Sequence, residues 1–258
     1  MNVLIGDIGN TVTKICLVEI TNFEIKKVIY FNSFEIKSKS LLKKNLKKII
    51  KNKSIISSTL FSSVVPSYAK IIKNFLMNNY QIRFNEIKDK FINKLIKISI
   101  KNKKQVGSDR IANAVGAFTK YKKNCIILDF GTATTFDVVT VKGVYIGGVI
   151  APGVNLSIKS LSKSANQIPI FSLKKQSNVI GKNTLEALRS GFYWGYAGLI
   201  NNIILKIENE TKKKYKIIFT GGYADLFKTS IERPFRIDRN ITIKGITEIF
   251  KHNKKNLI

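Results

Sequence analysis

The strongest constraint on the fold is a segment that occurs twice. Asp7-Ile8-Gly9-Asn10-Thr11-Val12-Thr13 is echoed by Asp129-Phe130-Gly131-Thr132-Ala133-Thr134-Thr135. Each copy follows an apolar run, VLIG or IIL, and each precedes another, KICLVEI or FDVVTV. Such runs read as strands, with the Asp-x-Gly as the turn between them. A motif repeated at the head of each half predicts two similar α/β domains facing a shared cleft. At roughly 150 residues per domain, the length of 258 residues allows one large domain or two modest ones, and the repeat favours two. The boundary is expected near residues 110–122, with an N-terminal domain over 1–115 and a C-terminal domain over 116–258.

Around the echo the chain alternates strand and helix signals. Residues 2–8, KICLVEI and EIKKVIYF predict a three-stranded antiparallel meander. Leu41, Leu42, Leu46, Ile49 and Ile50 predict a helix over 38–52, capped by Ser38 or Ser40. ISSTLFSSVV reads as a strand, and after Pro66 a helix carries Tyr68, Ile71, Ile72 and Phe75 on one stripe. Residues 82–100 read as short strands and loops, and helical spacing returns from Asp109 to Phe118. In the second half, strands run from Asn124 to a Gly-rich loop ending at Gly153. A helical piece lies near Leu156–Ser164. A long apolar helix spans Thr184–Glu208, with Gly191, Gly195 and Gly198 expected to allow close backbone packing. KYKIIFTGGYA is a further strand, and ITIKGITEIFK reads as a short strand or turn and then a short helix before a solvated basic tail.

The residue inventory excludes several chemistries. His252 is the one histidine, which removes multi-histidine metal sites and a Ser-His-Asp triad. Cys16 and Cys125 lie far apart within apolar segments and read as buried reduced thiols, which suits the cytoplasm. No apolar run is long enough to span a membrane, and Met1–Gly9 does not read as a signal peptide. The net charge of +29 invites a nucleic-acid or anionic-membrane reading. Lys, Asn and Ile are abundant throughout, however, and no nucleic-acid-binding motif is found. The charge is read as compositional drift that also helps to attract an anionic substrate, so no specific nucleic acid and no membrane is expected as partner.

With 16 acidic residues, the seven aspartates carry information: Asp7, Asp89, Asp109, Asp129, Asp137, Asp225 and Asp238. Asp7 and Asp129 each close an apolar strand and open a glycine turn. A carboxylate there suits a hard cation held through water, and the glycine lets a phosphate approach backbone N–H groups. One copy alone would be read as a turn. Two copies, with a further turn at Thr220-Gly221-Gly222, favour a nucleotide, although neither a P-loop nor a Rossmann glycine pattern occurs. Asp109, in Gly107-Ser108-Asp109-Arg110, opens a helix. It is either a first-turn acid or a general base beside an Arg that holds an anionic acceptor, and spacing leaves both open. Asp137, between Phe136 and Val138, reads as a structural buried acid.

These motifs, with Ser62-Ser63-Val64-Val65-Pro66 and Gly147-Gly148-Val149-Ile150-Ala151-Pro152-Gly153, occur in an order that resembles the type III pantothenate kinases over nearly the whole chain. The resemblance implies an actin-like fold of two duplicated ribonuclease-H-like domains with a cleft between them. It implies ATP-dependent phosphorylation of pantothenate in a cytoplasmic homodimer, with Mg²⁺ and K⁺ or NH₄⁺. Carried over by motif, Asp7, Gly9, Asn10, Thr11, Thr13 and Lys14 would line the ATP phosphates, with Asp7 serving Mg²⁺ through water, and Thr132 would touch ATP. Gly107, Ser108, Asp109 and Arg110 would hold pantothenate, with Asp109 as proton acceptor. Asp129 would ligate the monovalent cation. Thr184 would contact pantothenate across the dimer, or cap its helix, or both. One departure is evident: Ile100 stands where the family has an acceptor-contacting Tyr, and Lys103 where it has Pro. Two rival readings follow, a kinase of this superfamily with another hydroxylated acid as acceptor, and a basic regulatory protein.

Overall fold

The run NVLIGDI forms β1 (Asn2–Ile8), and two further strands, β2 (Val12–Glu19) and β3 (Ile25–Asn32), complete an antiparallel meander. After α1 (Lys39–Lys47) the chain adds β4 (Ile56–Ser63) parallel to β1, giving the strand order β3-β2-β1-β4. The computed structural model describes residues 1–51, 56–87, 91, 94–165 and 167–258. Asp89 and parts of the stretches read at 38–52 and 82–100 lie outside the described residues. β1 is central, and Val3, Leu4, Ile5 and Ile8 are all fully buried. That explains its continuous apolar run where an edge strand would alternate.

α2 (Pro66–Tyr80) starts on Pro66, whose fixed φ and missing N–H suit a first turn. It buries Ala69, Ile72, Phe75 and Leu76 in the cluster that takes Leu42 and Leu46 of α1. Ile71, expected on that stripe, sits at its exposed margin. The cap of α1 is Ser38, whose Oγ accepts from Leu41 N, and the helix stops at Lys47, short of the predicted end. Beyond β4, Phe61 N donates to Asn85 O at 2.9 Å and Ile87 N to Phe61 O at 2.9 Å, a fifth strand reduced to one bridge. The short β5 (Lys97–Ile98) pairs with residues 144 and 145, and α3 (Ser108–Tyr121) follows.

The second half repeats this plan. β6 (Cys125–Phe130), β7 (Ala133–Val139) and β8 (Val144–Pro152) are neighbours in one sheet, followed by α4 (Val154–Ser164) and α5 (Thr184–Thr211). β9 (Lys216–Gly221) then runs parallel to β6, as β4 does to β1, and β10 (Phe235–Ile237) runs parallel to β9. The duplication is therefore one of topology as well as sequence, with one slip. Ile8 pairs with Thr13, but Phe130 pairs with Thr134, so the second hairpin is one residue shorter. By register the counterpart of the buried Thr13 is the buried Thr134, and that of Lys14 is Thr135. The ungapped echo had set Thr13 against Thr135.

The chain separates into two units, Met1–Lys120 with Gly143–Tyr145 and Asn240–Ile258, and Tyr121–Lys142 with Ile146–Arg239. The final segment is one helix, α6 (Ile241–Leu257), in the first unit, where a short strand or turn and a solvated tail were expected. Ile241, Ile243, Ile246, Ile249, Phe250 and Leu257 are buried, and this burial overrides the strand preference of a β-branched run. α6 crosses α3 with backbones nearly touching. A Cβ on Gly245 would lie 1.8 Å from Ala112 O, and one on Gly116 would lie 2.4 Å from Ile241 O. Thr242 Oγ1 donates to Asn113 Oδ1 at 2.7 Å beside this crossing. In contrast, among the described residues nothing approaches within 4 Å of a Cβ built on Gly191, Gly195 or Gly198, so they do not provide the close packing expected on α5. No described helix is long and apolar enough to cross a membrane.

Candidate functional site

In the first unit the candidate residues gather at the C-terminal ends of β1 and β4. Gly9 N donates to Val12 O at 3.2 Å, closing a tight hairpin that leaves Asn10 and Thr11 exposed at its tip. Asp7 is half-buried, and in register it lies between Lys14 of β2 and Ser62 of β4. Thr13 is fully buried and its hydroxyl meets Ser33 Oγ at 2.8 Å, so it supports the hairpin from within. Lys14 Nζ donates to Asn240 Oδ1 at 2.5 Å and lies 5.1 Å from the centre of the Tyr30 ring. One carboxylate beside serine and threonine hydroxyls suits a cation held mostly through water and phosphate oxygens. Among the described residues no three His, Cys, Asp or Glu side chains converge into an all-protein metal cage.

The Gly107–Arg110 segment joins the same strand ends. Ser108 Oγ accepts from Ser63 N at 2.9 Å, donates to Ser63 O at 3.0 Å and meets Ser62 Oγ at 3.0 Å. These bonds fasten the first turn of α3 to the end of β4, next to the strand carrying Asp7. Asp109 Oδ1 accepts from Arg110 N at 2.8 Å. A Cβ on Gly107 would come within 2.5 Å of that same oxygen, so the glycine makes room for the carboxylate. Burial pushes the Asp109 carboxyl above its ordinary range, and the backbone N–H and charge of Arg110 oppose the rise. A half-buried carboxylate with a raised pKa, at a helix N-terminus and beside an Arg, is equipped to take a proton from a hydroxyl.

In the second unit Asp129 is half-buried, in register with Thr135 of β7 and Thr220 of β9. Gly221 has φ +84°, and a Cβ there would lie 2.7 Å from Asp129 Oδ1 and 2.6 Å from both N and O of Phe130. Only glycine tolerates both the left-handed backbone and this approach. The Gly131–Thr132 turn is covered by Gly153, at which a Cβ would fall 2.2 Å from Thr132 O. Around Asp129 the chain therefore keeps a carboxylate, two threonines in register and a closely packed glycine, oxygen donors of a kind that suits a hard monovalent cation. Asp137 is fully buried in mid-β7 and accepts from Thr135 Oγ1 at 3.4 Å, in keeping with a structural role.

The fold has relatives at low sequence identity. A conserved Baf family transcriptional activator from Campylobacter jejuni matches with a TM-score of 0.63 at 20% identity, covering 98% of this chain and 99% of that one. An archaeal actin homologue matches with a TM-score of 0.52 at 14% identity, covering 96% and 98%. The architecture is thus the duplicated actin-like fold. In sequence, the chain is 52% identical to a type III pantothenate kinase of Pelagibacter ubique over 95% of this chain and 96% of that one. It is 37% identical to one from Koribacter versatilis over 78% and 73%. The sequence model of the type III pantothenate kinases matches residues 3–206.

The chain belongs to the type III pantothenate kinase family.

As a member of that family the chain is a kinase, and the remaining expected positions can be placed on it. Thr184 is the first residue of α5 but does not cap it. The cap is Asn183, whose Oδ1 accepts from Glu186 N at 2.9 Å while the Glu186 carboxylate accepts from Lys182 N at 2.9 Å. Thr184 is exposed and lines a groove of about 600 Å³ with Ala187, Leu188, Gly191, Gly195 and Leu199. Ile100, expected to stand where the family has a Tyr, is half-buried just after β5, and Lys103 begins a 3-10 turn that ends at Gln105. The sequence analysis missed Asn240, which holds Lys14, and Ser62 as the bridge between the strand end and Ser108. Ser62 was quoted only as part of a motif. Asn240 had no signal, because 226 residues separate it from its partner.

Proposed function

We propose that this protein transfers the γ-phosphoryl group of ATP to the 4′-hydroxyl of pantothenate, the opening step of coenzyme A synthesis. One observation carries the site assignment. Ser62 is in register with Asp7 and hydrogen-bonded to Ser108, so one short path ties the phosphate-side carboxylate to the turn bearing Asp109. Asp109 accepts the hydroxyl proton as the acceptor oxygen bonds to the γ-phosphorus. The bond to the bridging oxygen breaks and ADP leaves. Gly107, Ser108 and Arg110 orient the acceptor, with the Arg110 guanidinium directed at its carboxylate. Asn10, Thr11 and Lys14, with the Gly9 backbone, direct donors at the triphosphate, and Thr132 contacts ATP. Mg²⁺ held through water by Asp7, and K⁺ or NH₄⁺ at Asp129, would offset phosphate charge. Positioning and electrostatics supply most of the acceleration in such transfers.

The reading includes a cytoplasmic homodimer in which Thr184 reaches the acceptor of a second copy, supported by the exposed Thr184 at the rim of an apolar groove. The deciding experiment is a pantothenate phosphorylation assay with and without K⁺. The expected result is product formation that needs K⁺ and that loses its K⁺ response in Asp129→Ala. Product from pantothenate without any K⁺ response would move the cation away from Asp129. Sedimentation of a fully active monomer would remove Thr184 from the acceptor site. Ile100 favours one alternative, a different hydroxylated acid as acceptor, because a lost phenol weakens binding by about 1 kcal/mol or more. An acceptor panel with labelled ATP separates the two.

A further inference from the structure

We infer that Asn240 is a positioning residue for nucleotide binding, acting through Lys14. The inference rests on Lys14 being a phosphate contact, as proposed above, and adds a residue beyond the 3–206 span matched by the family. Asn240 occupies the N-cap position of α6, where an Asn carboxamide ordinarily accepts from the backbone of the first turn. Here it makes no such bond, and its backbone sits at φ −112°, ψ 11°. Its Oδ1 instead accepts from Lys14 Nζ at 2.5 Å.

A lysine ammonium on a four-carbon stem explores many rotamers, and fixing it in advance lowers the entropy lost when a phosphate is bound. The Asn240 carbonyl and the Tyr30 ring face 5.1 Å away both help to fix it here. The carbonyl oxygen is neutral. It therefore directs one N–H of the ammonium without itself cancelling any of the positive charge.

The support is rigid. The first turn of α6 is pinned to α3 by the Gly116–Gly245 crossing and by Thr242 Oγ1 donating to Asn113 Oδ1. α3 begins with Ser108 and Asp109, so the helix that aims Lys14 is locked to the helix that carries the proposed base. The first turn of α6 thus references both groups to one backbone.

The test uses Asn240→Ser, which keeps a good N-cap but is too short to reach Lys14. Its binding of a non-hydrolysable ATP analogue, by calorimetry in magnesium buffer, should weaken about tenfold, the scale of a hydrogen bond to a charged group. KM for ATP should rise in step, with KM for pantothenate and the melting temperature little changed. Adding Asn240→Ser to Lys14→Ala should weaken analogue binding no further than Lys14→Ala alone. Unchanged binding in Asn240→Ser, or equal losses in the two backgrounds, would overturn the inference. The calorimetry does not depend on the acceptor, so a wild type inert toward pantothenate would count against the proposed substrate and leave this test intact.

Discussion

Asp109 joins two demands that conflict, burial and charge. Because burial raises its carboxyl pKa, ionising it costs the folded chain more than the unfolded one. Folding stability from this group is fully present below the unfolded value of about 3.9, falls as pH rises through the folded value, and stays lower above it. Asp109→Asn should therefore melt at a higher temperature than wild type at pH 7, and the gap should close as pH approaches 4. The same variant should lose turnover by about 10²–10⁴-fold, the usual share of a general base. Scanning calorimetry across pH and a kinase assay read the two effects. In the wild type the acid limb of kcat should lie above the ordinary carboxylate range. Arg110→Gln should move it higher still, because the guanidinium opposes the rise. Gly221→Ala meets a left-handed φ and two backbone atoms at 2.6 Å, so a destabilisation of more than about 1 kcal/mol is expected in urea melts.

Among the elements, the glycines of α6 and α5 make a contrast that one pair of variants can read. Gly245→Ala places a methyl 1.8 Å from Ala112 O, so α6 must lift from α3; a loss of about 2 kcal/mol or more is expected. Gly191→Ala meets open space and should instead stabilise the chain by about 0.5–1 kcal/mol through helix propensity. If a second copy covers that groove, the same methyl should lower the dimer fraction in sedimentation. The elements legible in the sequence were those whose pattern is local. β1 and β6 announced themselves because both are central strands ending in Asp-x-Gly. α6 was misread because its helical state depends on α3, more than 120 residues earlier, as the Asn113–Thr242 bond illustrates. β10, three residues long, has too little sequence to carry a period. The candidate site divided in the same way. Asp7, Asp109 and Asp129 stand beside glycines and could be picked out, whereas Asn240 looks like any other asparagine in a chain rich in them.

For the whole molecule, the charge of +29 sets the ionic response. A triphosphate is attracted by that field far more than a singly charged acid, and added salt screens the attraction over a Debye length of about 8–10 Å. At constant K⁺, raising NaCl from low to physiological levels should increase KM for ATP severalfold and leave KM for pantothenate nearly constant. Equal shifts in both constants would mean that the charge does not act on the nucleotide. The return of α6 to the first unit has a consequence for biosynthesis. About 120 residues separate Lys120 from Asn240, which at roughly 5–20 residues per second is a wait of about 6–24 s on the ribosome. Throughout that interval the nascent first unit lacks the helix that packs against β1 and β4 and the Asn240 that meets Lys14, so this packing can form only after the whole of the second unit has been made.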